Sequence, residues 1–137
     1  MHTNPETADL TTEQIDQVLK DWLADAERMM IQVNGIPDHA VFGLSDKKVA
    51  TMKIDLADEA QKDTVRKCAI GLWPRYVALI SEAWIKSSPL SQLRPSEDPN
   101  ALEAVAVWVE TPLSQHAIAR KVLRDAEGNV TGLGDPV

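Results

Sequence analysis

Three features of the sequence predict an α+β fold: an antiparallel sheet of about four to six strands with two helices packed on one face. The first is residues 75–86, RYVALISEAWIK, an apolar run behind Pro74, a residue excluded from helix interiors. At period two, Tyr76, Ala78, Ile80, Glu82 and Trp84 share one face, and Val77, Leu79, Ser81, Ala83 and Ile85 the other. Both faces are mainly apolar, so the segment reads as a central strand covered on both sides. A helix is the competing reading, because Ala, Leu and Glu are good helix formers. The second feature is a pair of helix-period segments ahead of this run. The third is a series of strand-like segments behind it, joined by tight turns. Strands in such a series pair antiparallel and leave the helices to cover one face.

Taken in order, residues 1–9 read as a flexible lead-in. Thr11 is placed as an N-cap with Gln14 three residues on, a capping box, and Leu10 and Ile15 form a hydrophobic staple. Ile15, Val18, Leu19, Trp22, Leu23, Ala26, Met29, Met30 and Val33 then make one apolar stripe at steps of three and four. Asn34-Gly35 and Pro37 end that helix. Residues 39–44 and 48–55 flank Ser45-Asp46-Lys47 and predict a hairpin. Residues 57–73 predict the second helix, with Asp58 and Glu59 suiting the dipole at its start and Val65, Cys68, Ala69, Leu72 and Trp73 as its apolar face.

Behind the central strand, residues 87–100 form a long Ser- and Pro-rich loop, and connections of that length are often functional or mobile. Residues 102–111 predict a second interior strand, ended by Pro112. Residues 116–124 predict a third, nearer an edge because Arg120, Lys121 and Arg124 make it more polar. Residues 130–133 can pair back as a short last strand, and 134–137 read as a tail.

The 137 residues suit one domain, 1–137, and a chain of this size buries roughly two thirds of its unfolded surface without needing a disulfide or metal. The net charge of −7 argues against a nucleic-acid groove, which needs a basic footprint. The single cysteine, Cys68, fits a reducing compartment. The polar start has no apolar signal core, and no run reaches the length of a membrane span, so the expected location is cytoplasmic.

Glu82 is the one charge inside the apolar strand, and a buried carboxylate needs a partner or a proton. Arg75, Arg94, Arg120 and Lys121 are its candidate partners, and an ion pair or an exposed rim position is favoured over catalysis. If the 87–100 loop folds over the strand ends, Glu97, Asp98 and Glu103 converge with Glu82 as candidate acids, bases or ligands for a hard cation, although nothing in the spacing requires it and no metal site is assigned. Of the four tryptophans, Trp84 and Trp108 are the candidates for an interface; core packing is the plainer role for all four. His2, His39 and His116 form no metal-type pair. Cys68 lies on an apolar helix face as a small hydrophobe, and no G-x-S-x-G, G-x-x-x-x-G-K-[ST] or G-x-G-x-x-G motif is present, so no cofactor is expected.

The combination Ser81-Glu82-Ala83-Trp84, then Arg94-Pro95-Ser96-Glu97-Asp98-Pro99, then Glu103-Ala104-Val105 resembles small bacterial and phage proteins of unknown function over the middle third of the chain. The resemblance implies a small α+β protein and no activity. Apolar residues on both faces of the interior strands, with few residues left to cover the second face, point to a non-catalytic interaction module that self-associates as a homodimer. The alternative is a small hydrolase or metal-dependent enzyme built on the carboxylates near the 87–100 loop.

Overall fold

In the computed structural model, which describes residues 10–45, 48–55, 57–72, 74–85 and 101–137, the chain begins with helix α1, Thr12–Val33. The capping box forms as its residues predict. Thr11 Oγ1 accepts from the Gln14 N–H at 3.1 Å, and the Thr11 N–H donates to Gln14 Oε1 at 2.8 Å. Asn34 ends the helix in the left-handed region, φ 61°, a conformation its short polar side chain tolerates. Ile15, Leu19, Leu23, Ala26 and Met30 are the buried stripe. Each fully buried Leu, Ile or Met contributes about 1.5–3 kcal/mol, so this face anchors the helix.

The other elements are β1 (His39–Ser45), β2 (Lys48–Lys53), α2 (Glu59–Leu72), β3 (Tyr76–Ile85), β4 (Leu102–Glu110), β5 (Gln115–Arg124) and β6 (Val130–Pro136). They form one open sheet in the order β2-β1-β3-β4-β5-β6, with every neighbouring pair antiparallel. Residues Tyr76–Ile85 of the 75–86 run are therefore the interior strand that the two apolar faces predict. Since β2 and β3 both run antiparallel to β1, they are parallel to each other, and α2 is the crossover that carries the chain over β1.

That crossover corrects one expectation. The α+β class and the antiparallel sheet stand, but the two helices lie on opposite faces. Val41, Ala78, Ile80, Val105, Val107 and Val109 share a core with α1. Ala40, Phe42, Val77 and Leu79, their immediate neighbours along β1 and β3, share a second core with Val65, Cys68 and Ala69 of α2. Side chains alternate across a strand, so the two cores are on opposite sides of the sheet. The physical reason is that β1 and β3 are apolar on both faces, and each face needs its own cover.

The covers are unequal. α1 spans β4, β5 and β6, whereas α2 buries none of its residues completely and reaches chiefly β1. Close approach is visible at Gly43, where a Cβ would collide with the ring of Tyr76 opposite it on β3. Glycine leaves room for that ring, whose hydroxyl accepts a 3.1 Å hydrogen bond from Trp22 Nε1 on α1. Burial raises the Tyr76 phenol above its ordinary pKa, and the Trp22 bond opposes that shift.

β6 runs through Pro136, into residues expected as a tail, and Val137 donates its N–H to Ala119 O at 2.9 Å. Residues 116–124, expected near an edge, are one strand in from it. The 46–47 turn, Trp73 and the 87–100 loop are outside the described residues. Among those described, no helix is long and apolar enough to cross a membrane.

Candidate functional site

Glu82 and Glu103 come together below the C-terminal end of α1. The β3–β4 register sets Glu82 opposite Val105 and Trp84 opposite Glu103, so both carboxylates stand on the α1 face one pair apart. Glu103, with a side chain only 13% exposed, holds Arg124 of β5 through both oxygens, at 2.7 and 2.8 Å. Arg124 also donates to Asn34 Oδ1 and to the Gly128 carbonyl, each at 2.7 Å. Its bonds to Glu103 raise the guanidinium above its ordinary pKa, and the Glu82 charge adds to the same direction. Glu82 Oε1 accepts the Ile36 N–H at 2.7 Å, just beyond the helix end. Further along α1, Glu27 Oε2 accepts the Leu133 N–H of β6, also at 2.7 Å.

This arrangement locks a helix end to three strands. Glu82 takes a backbone N–H. Of its expected partners, Arg94 is outside the described residues; the cation whose charge it does feel is Arg124, which the sequence did not single out for it. A sequence signal for Arg124 existed: at period two it follows Ile118 and Val122, the inward face of β5. Glu97 and Asp98 are outside the described residues. Among the described residues no group of three or more His, Cys, Asp and Glu is arranged to hold a metal. His116 Nε2 meets Ser114 Oγ at 2.9 Å within the β4–β5 turn, and Thr111 Oγ1 meets the same hydroxyl at 2.9 Å. That is the polar lining of a tight turn, and none of the described hydrogen bonds joins His116 to a carboxylate. Cys68 is half-buried on the α2 face.

The interface candidates part company. Trp84 shares the α1 face with Glu82 and is 50% exposed at the far end of β3. Trp108 pairs with Leu79 on one side and Ala117 on the other, on the opposite face, and is 44% exposed. Around it the β4–β5 surface is a flat strip of small residues, because Ala106 pairs with Ala119 and Trp108 with Ala117. Glu110 and Lys121, both exposed, close the two ends of this strip.

On the β3 side of Trp108 the surface dips. A cleft of ≈ 220 Å³ separates α2 from the sheet, with Val65 and Ala69 as one wall and Val77, Leu79 and Trp108 as the other. Lys62, Arg66 and Glu110 stand among its lining residues. The sequence contains part of the cause, since the α2 residues that meet the sheet here, Val65, Cys68 and Ala69, are small, but not the position of the wall opposite.

The fold and this surface define an α+β protein with an open, two-sided antiparallel sheet and one incompletely covered face. No protein-family model matches the chain, and neither a curated protein nor a solved structure does.

Proposed function

We propose that this protein is a non-catalytic interaction module that self-associates as a homodimer through the β4–β5 strip around Trp108. The observation that carries the reading is a half-exposed tryptophan standing beside a strip of alanines on the β4–β5 surface. A large aromatic beside a shallow patch is self-complementary: under a two-fold axis, each Trp108 lies over the other copy's Ala106, Ala117 and Ala119. The same axis brings Lys121 at one end of the strip toward the second copy's Glu110 at the other.

The sheet edges favour this mode over strand addition. β2 carries exposed Lys48 and Lys53, and β6 carries Gly132, Gly134 and Pro136, residue types that blunt an edge. The single cysteine suits a reducing compartment, and we place the protein in the cytoplasm.

Native mass spectrometry of the purified chain tests the proposal. Wild type should be a dimer, Trp108→Ala should shift it to monomer, and Trp84→Ala, on the other face, should leave it unchanged. A wild type that stays strictly monomeric at high micromolar concentration would sink the reading.

A further inference from the structure

We infer a second site, beside the alanine strip and sharing Trp108 with it: the cleft between α2 and β3–β4 binds a small amphipathic carboxylic acid with a body about the size of one aromatic ring. The reason for the cleft is geometric. α2 meets the sheet with Val65 and Ala69, buries no residue of its own, and so leaves a gap over Val77, Leu79 and Trp108. A cavity of about 150 Å³ holds benzene, so ≈ 220 Å³ takes a ring with a short acidic arm. An apolar body in this gap removes water from Leu79 and one face of the Trp108 indole, burial that the protein alone leaves undone.

The polar rim selects the sign of the head group. Lys62 and Arg66 stand one helical turn apart on the same edge of the cleft. Like charges at that spacing repel and destabilise a helix. Lys62 is partly neutralised by Glu59 at 3.0 Å, while Arg66 enters none of the ion pairs among the described residues. Glu110, on the opposite wall, accepts from Gln115 Nε2 at 3.2 Å and repels an anion, which directs the carboxylate to the α2 side. A carboxylate there gains a charge-assisted pair with Arg66 and relieves the repulsion. A neutral analogue gains only the apolar contact.

Isothermal titration of the full chain with 3-phenylpropanoate, against 3-phenylpropan-1-ol, tests the inference. The acid should saturate with a Kd of about millimolar or tighter, the range expected for about eleven non-hydrogen atoms. Arg66→Gln, a surface change, should weaken it by about tenfold. Ala69→Leu should fill the cleft and abolish binding, with the circular dichroism of the fold retained. In hydrogen exchange, saturating acid should slow α2 selectively. The inference is overturned if the acid does not saturate, if the alcohol binds equally well, or if Arg66→Gln has no effect. It is also overturned if Ala69→Leu turns a dimer into a monomer, since the cleft would then be filled by the second copy.

Discussion

At the scale of single residues, Glu82 shows how a charge in an apolar strand is accommodated. Its carboxylate closes the N–H of Ile36, a buried residue beyond the end of α1. Glu82→Ala removes the acceptor and strands a backbone donor, a cost of about 1–3 kcal/mol. Glu82→Gln keeps an oxygen in reach and should cost less than about 1 kcal/mol. Urea denaturation of the two variants measures the difference, and equal loss in both would contradict the hydrogen-bond role. The lone charge was legible in the sequence as a residue needing a partner. Its partner was not, because Ile36 is forty-six positions away and offers a backbone group, which no side-chain pattern encodes. The Glu103–Arg124 pair was half legible: both positions fall on inward faces by period two, but only the strand order sets them side by side.

At the scale of elements, the two helices differ in how they are held. α1 has a capping box, a five-residue buried stripe, and polar ties at both Glu27 and Asn34. α2 has a half-buried apolar edge and a surface ion pair of Lys67 with Asp63, 3.2 Å apart and mostly exposed, which contributes little. Amide exchange followed by mass spectrometry should therefore show α2 opening well before α1, through local rather than global unfolding. Equal protection in the two helices would mean that α2 is anchored more firmly than its half-buried apolar edge provides. The helices themselves were readable from their period and caps. Their placement on opposite faces was not: the series of strands suggested one covered face, and the crossover from β2 to β3 overrode it.

At the scale of the whole molecule, the unequal covers leave Trp108 and Ala117 exposed on the α2 face, and the proposed dimer follows from that imbalance. If two copies meet across the strip as described, Lys121→Glu should weaken the dimer by setting like charges together, and Glu110→Lys should do the same. The double variant should recover much of the loss, because the pair is restored with its signs exchanged. Sedimentation equilibrium of the four proteins reads this directly, and additive losses in the double variant would rule out the two-fold geometry. A net charge of −7 on each copy opposes association, so an apolar centre has to supply the attraction.

The sequence by itself determined the class of fold, the start and end of α1, the central strand with its two faces, and the identity of the residues on each face. These are local properties, set by a period of two or of 3.6 and by capping chemistry within a few residues. Only the tertiary structure decided which face each helix covers, that Arg124 closes on Glu103, that Trp84 and Trp108 point to opposite sides, and that a cleft opens under α2. Each of these depends on strand order and crossover path, which bring distant residues together, and no local pattern carries that information.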